Sequence, residues 1–156
     1  MMPDIKRYII YFLFAVLPLM VLSCTAGSCF DETEAYVKAS FYNNTARKLQ
    51  APDSVSLYGL NMSDNKIYDK TTGLQPAHIP LNNSSDTCRF VITINGIADT
   101  LEFRYISYPH LISKECGVSF YHQLHTVLHT KHTIDFIYLS RKTITNVNEE
   151  NIRIFY

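Results

Sequence analysis

Four histidines crowd one short stretch, YHQLHTVLHTKH at residues 121–132: His122, His125, His129 and His132. Neutral imidazole nitrogens are common ligands for zinc and copper. On a helix, steps of three, four and three would bring all four rings onto one face, within an arc of about 80°. The chemistry therefore depends on the element that carries them. Thr126, Val127, Thr130 and Thr133 favour a strand, Gly117 precedes the run, and Phe120 with Tyr121 extends an alternation that already reads as β. On a strand His122 would face one way while His125 and His129 faced the other, which divides a four-ligand shell. The stretch is expected to be a strand and its turn bearing exposed histidines, with no metal site; a His-cluster metal site is the alternative.

The other reactive side chains are Cys24, Cys29, Cys88 and Cys116. Cys24 follows an apolar run, YIIYFLFAVLPLMVL at residues 8–22, with Lys6 and Arg7 ahead of it and small residues from Ser23 to Ser28 behind. A membrane-spanning helix needs roughly 20 apolar residues to cross about 30 Å of hydrocarbon, and this run is shorter and broken by Pro18, so a cleaved signal peptide is the expectation. Val21-Leu22-Ser23-Cys24 resembles the bacterial lipobox, where an apolar residue three places before the cysteine and a small one just before it allow the thiol to be diacylated. Ala26-Gly27-Ser28-Cys29 fits less well, and ordinary cleavage near Ala26 is the plainer reading. Residues 1–23 are thus read as a lipoprotein signal peptide, Cys24 as the lipid-attachment site, and 24–34 as a tether whose charges are Asp31, Glu32 and Glu34. Each buried methylene contributes about 0.8 kcal/mol, so several acyl chains would hold the N-terminus on a membrane almost permanently.

Removing residues 1–23 takes Lys6, Arg7 and Asp4 from 14 basic and 14 acidic side chains, leaving 12 and 13. That balance argues against nucleic acid as a partner, because phosphate binding draws on a concentrated basic face. Export would place Cys29, Cys88 and Cys116 in an oxidising compartment, where three thiols permit one bridge and leave one over.

The elements that must position these groups read as β throughout. In AYVKASFY, Val37, Ala39 and Phe41 share one face, and SVSLYGL repeats the pattern with Val55 and Leu57. CRFVITI places Phe90, Ile92 and Ile94 together. After Asn95-Gly96 the chain resumes in DTLEFRYI with Leu101, Phe103 and Tyr105, and Asn-Gly between two such runs predicts a type I′ hairpin. GVSFYH, TIDFIYLS and NIRIFY are further β-rich runs, the second apolar on both faces and so expected at the centre of a sheet. Turn-forming clusters separate them, among them Asn82 to Asp86 and Asn146 to Glu150. The expectation is an all-β protein: a single domain over residues 35–156, folded as an antiparallel, immunoglobulin-like β-sandwich of about seven or eight strands.

Catalytic signatures are missing: there is no GxSxG elbow, HExxH, Walker loop or glycine-rich dinucleotide turn. No enzyme and no cofactor are expected. The 11 Tyr and 9 Phe could stack on sugars or offer a surface to a protein, although aromatic side chains in a small sandwich are more often core.

The lipobox cysteine with a second cysteine behind it, then VKASFYN, SVSLYGL, DTLEFRY, ISKECG and TIDFIYLS in that order, resemble a family of small uncharacterised lipoproteins of the Bacteroidota, a domain of unknown function. The resemblance covers most of the chain after the leader. It implies a β domain held by lipid in the cell envelope, at the periplasmic face or the outer surface of the outer membrane, with an outer-membrane β-barrel protein as partner and no catalytic residues. It also implies a disulfide between Cys29 and the Cys116 of ISKECG. Closing a loop of about 87 residues would contribute roughly 4 kcal/mol. Cys88, opening its strand, would then be the leftover, buried and unreactive. Neither Cys88 nor the histidine cluster belongs to the family pattern. The expected function is a non-enzymatic module that contacts another envelope protein, by lending a sheet edge for strand pairing; a glycan-binding surface lipoprotein is the alternative.

Overall fold

Alternation with a period of two builds two sheets that press their apolar faces together. The computed structural model describes Cys29 and residues 32–156, and the β domain is a unit spanning 31–156. The expected signal peptide, the expected lipid-attachment site Cys24 and most of the expected tether lie outside the described residues.

The first sheet is built on β1 (Tyr36–Asn43). On one side β1 pairs with β2 (Lys48–Leu49) and β5 (Ala77–Pro80), and on the other with β11 (Ile152–Phe155), beyond which lies β9 (Phe136–Leu139). The second sheet runs β10 (Thr143–Ile144), β8 (Gly117–His129), β7 (Ile97–Ser113), β6 (Thr87–Ile94), β3 (Val55–Gly59) and β4 (Lys66–Thr71). Val37, Ala39, Phe41, Ile79, Ile152 and Ile154 from the first sheet form one core with Leu57, Ile92, Leu101, Phe103, Tyr105 and Leu124 from the second. Burying each such side chain contributes about 1.5–3 kcal/mol relative to leaving it in water.

The all-β sandwich expected from the sequence is therefore what the chain forms, with no helix among the described residues. Three details differ. Among the described residues there are eleven strands rather than seven or eight, because β2 and β10 are two-residue pairings and β4 and β5 carry little alternating signal. The pairings are antiparallel apart from β1 with β11, which run parallel with Ala39 opposite Ile152 and Phe41 opposite Ile154. And β9, the TIDFIYLS strand, lies at the edge of its sheet rather than at the centre. Its outward side is apolar for a different reason: Phe136 stacks on Phe155 of β11.

The β6–β7 hairpin turns at Asn95-Gly96 as expected, with Ile94 opposite Ile97 and both turn residues at positive φ, 50° and 88°. The connection from β8 to β9 is organised by Asp99. This buried carboxylate of β7 accepts bonds from Thr130 Oγ1 (2.5 Å) and from the backbone N–H groups of His132 (2.9 Å), Thr133 (2.8 Å) and Ile134 (3.0 Å). On the outward side of β1, buried Lys38 donates from Nζ to the Val147 carbonyl at 2.7 Å and from its backbone to Asn151 Oδ1 at 2.9 Å, which straps residues 147–151 across the sheet. Burial lowers the Lys38 pKa against the raising pull of Glu32 and Glu149.

Candidate functional site

The histidine stretch is a strand, as expected, but its rings do not lie as simple alternation predicts. The β7–β8 register shifts between Arg104 opposite Thr126 and Tyr105 opposite Leu124, so His125 is the extra residue of an irregularity. Parity flips there. His122 stands opposite Ser107, on the inward face with Leu124, and is buried instead of exposed. His129 stands opposite core residue Leu101, on the same inward side as His122. His125 is exposed, His129 Nδ1 lies 2.7 Å from the Thr130 carbonyl, and His132 Nδ1 lies 3.0 Å from Asp99 Oδ1. Each ring has its own local setting, and among the described residues no three His, Cys, Asp or Glu groups converge on a point where a metal could sit.

His122 forms the floor of a cleft of about 240 Å³ at one end of the sandwich, lined also by Tyr36, Pro80, Asn83, Val118 and Phe120. Its Nδ1 lies 2.9 Å from Ser107 Oγ and its ring meets Tyr105 edge-on at 5.4 Å. Burial lowers its pKa, so the imidazole is neutral near pH 7. Beside it the Tyr105 hydroxyl accepts from Asn82 N–H at 3.0 Å, donates to the Asn82 carbonyl at 2.9 Å, and lies 3.0 Å from Cys88 Sγ. Burial first, then the bond to Cys88, raises the Tyr105 pKa. Cys88 is free and half-buried, more accessible than the buried thiol expected. The Tyr105 and Cys88 contacts to Asn82 anchor the loop 81–86 to the sheet.

Cys29 and Cys116 are disulfide-bonded to each other. Cys116 lies in the three-residue turn between β7 and β8, where its N–H donates to Ser113 Oγ at 3.0 Å; the bridge thus ends on a turn rather than within a strand.

The outward face of the first sheet carries a constellation that the sequence reading missed. Register places Leu49, Tyr42, Phe155 and Phe136 side by side across β2, β1, β11 and β9, and Ser40, Arg153 and Tyr138 in the next row. Phe136 and Phe155 stack at 4.2 Å and 12°, and Tyr42 stacks on Phe155 at 5.2 Å. The Arg47 guanidinium lies 4.9 Å from the Phe136 centroid and 5.3 Å from that of Phe155, and Arg153 lies 5.4 Å from Tyr42 and 5.7 Å from Tyr138. Arg153 donates to Glu150 at 2.5 Å and Tyr42 donates to the same carboxylate at 3.2 Å. Burial would raise the Glu150 pKa, but these bonds and one from Ser40 hold it below the usual range. Arg47 makes no ion pair among the described residues and is exposed, as are Leu49 and Tyr138. The available signal was the alternation of Tyr42 with Phe41 in the first strand, and of Arg153 and Phe155 with Ile152 and Ile154 in NIRIFY, which puts them on the outward side.

No curated protein and no solved structure matches this chain. A model of a family of unknown function, DUF6452, matches residues 54–156, from the start of β3 to the C-terminal residue. Since that match spans well over half of the sequence, the chain belongs to the DUF6452 family of unknown function.

Proposed function

We propose that this chain is a lipid-anchored, non-enzymatic module of the outer membrane that docks another envelope protein through exposed Leu49, Tyr138 and Arg47, which are set on the Tyr42, Phe155, Phe136 row with Arg153 beside them. The observation that carries this reading is the interleaving of Arg47 and Arg153 with Tyr42, Tyr138, Phe136 and Phe155 on one outward sheet face. Tyr and Arg dominate the residues that hold protein interfaces together, because they bury large area while keeping polar reach. Arg47, without a carboxylate of its own among the described residues, suits a partner surface that presents acidic side chains. β9 is the outermost strand of this sheet and brings Tyr138 to its edge, so an incoming strand could add hydrogen bonds to the side-chain contacts. A sugar is the weaker fit, since Phe136 and Phe155 stack on each other beneath Arg47. The lipobox at Cys24 and the balanced charge support the envelope address, and an outer-membrane β-barrel is the proposed partner class.

A photoreactive side chain placed at position 138, which is 53% exposed, tests this in native membranes. One discrete protein adduct is expected, its yield falling at least fivefold when Arg47→Glu is added, with no adduct from the same probe at exposed Met62 on the other sheet's β3–β4 loop. Absence of an adduct at 138, or one indifferent to Arg47→Glu in a chain that still folds, would overturn the reading.

A further inference from the structure

The β7–β8 hairpin outruns the sheet that covers it. On β7 the inward residues Leu101, Phe103 and Tyr105 are buried, as is His122 opposite Ser107, but the following inward pairs, Pro109 opposite Phe120 and Leu111 opposite Val118, are exposed. Leu111 and Val118 are each 62% accessible and Phe120 is 38%. On the other side of the same ribbon Ile106 and Tyr108 are exposed as well. From Tyr105 to Tyr121 the only charged side chains are Lys114 and Glu115, both in the turn. An apolar tip with aromatic residues set back from its end and a lysine at the turn has the composition of an element that rests at a membrane interface.

What specifies the occupant is the disulfide. Cys116 in that turn is bonded to Cys29, which lies five residues after Cys24 in the sequence. Five residues reach at most about 18 Å, so an acylated Cys24 keeps the hairpin tip within that reach of the lipid headgroups. We propose that the β7–β8 tip seats on the bilayer, with Leu111, Val118 and Phe120 in the interfacial layer; this rests on the lipid anchor proposed above. The orientation is consistent with that docking face: β1 starts at Tyr36 beside the Phe120 cleft and reaches the Tyr42 row six residues later, roughly 20 Å farther along the sandwich.

The chain has no Trp, so a single introduced indole reports its own surroundings. The mature lipidated protein bearing Val118→Trp, and separately Leu111→Trp, is reconstituted in phosphatidylethanolamine and phosphatidylglycerol vesicles with and without brominated acyl chains. Fluorescence from position 118 or 111 should shift to the blue and be quenched at least twofold by bromolipid, while Tyr138→Trp stays unquenched. Vesicle-bound protein with unquenched indoles at both tip positions overturns this inference and leaves the anchor intact. A blue-shifted but unquenched tip assigns it to a protein contact and overturns the inference equally. Protein that does not remain on the vesicles takes down the anchor reading and this one together.

Discussion

Asp99→Ala is expected to lower the stability of the domain by about 3–4 kcal/mol, read as a lower urea midpoint at unchanged slope. The carboxylate holds the whole 130–134 connection from one sheet to the other, accepting from one hydroxyl and three successive backbone N–H groups. Removing it strands those donors, and the Ile134 N–H is buried where water cannot replace the lost acceptor. A loss of this size is a large share of the roughly 5–15 kcal/mol that holds a typical domain folded. Asp99→Asn should recover only part of it, because an amide has one acceptor oxygen and would turn its own N–H toward donors. Burial alone would raise the Asp99 pKa, yet the four bonds more than offset it and hold the group well below the carboxylate range. A depressed folded-state pKa gives stability that is complete above the unfolded value of about 3.9 and is lost as pH falls below it. The wild-type midpoint should therefore drop below about pH 4 more steeply than that of Asp99→Ala. Equal acid sensitivity of the two proteins would contradict this account of the loop.

Breaking the Cys29–Cys116 bridge is the second large effect. The loop it closes contains β1 to β7, and releasing about 87 residues in the unfolded chain costs roughly 4 kcal/mol of stability on the chain-entropy model. Cys29→Ser with Cys116→Ser, and the wild type under reductant, should show the same lowered midpoint. Cys88→Ser should leave it within about 1 kcal/mol, since Cys88 is free and loses only its contact to the Tyr105 hydroxyl. An oxidised and a reduced protein of equal stability would show that the bridge constrains nothing the fold depends on.

The sequence was most legible where structure is local. Alternation in VKASFY and CRFVITI identified inward faces because a half-buried strand leaves its period in the residues, and Asn95-Gly96 marked its hairpin because few other pairs tolerate two positive φ angles. It was least legible where partners are distant. Nothing in β1 signals parallel pairing with the last strand, and the two-residue β2 and β10 exist only because a long neighbour offers them hydrogen bonds. An apolar outward side on β9 looked like a central strand because an aromatic stack on the surface has the composition of a core. The single residue inserted at His125 moved His129 to the face shared with Leu101, a change that alternation cannot detect. Asp99 carried a readable warning: it has the parity of Leu101 and Phe103, and a carboxylate at a core position requires donors from somewhere. The aromatic and arginine rows were hidden for the opposite reason, being distributed over four strands and the Asn43–Lys48 turn that come together only in the sheet.

Both proposed surfaces take their orientation from the N-terminus, so the chemistry at Cys24 tests the account most directly. Intact-mass and peptide mass spectrometry of protein extracted from its native membranes should find a chain that begins at Cys24, with a diacylglyceryl group on the sulfur and an acyl group on the α-amine. A chain that retains residues 1–23, or one that begins beyond Cys24 without lipid, would contradict it.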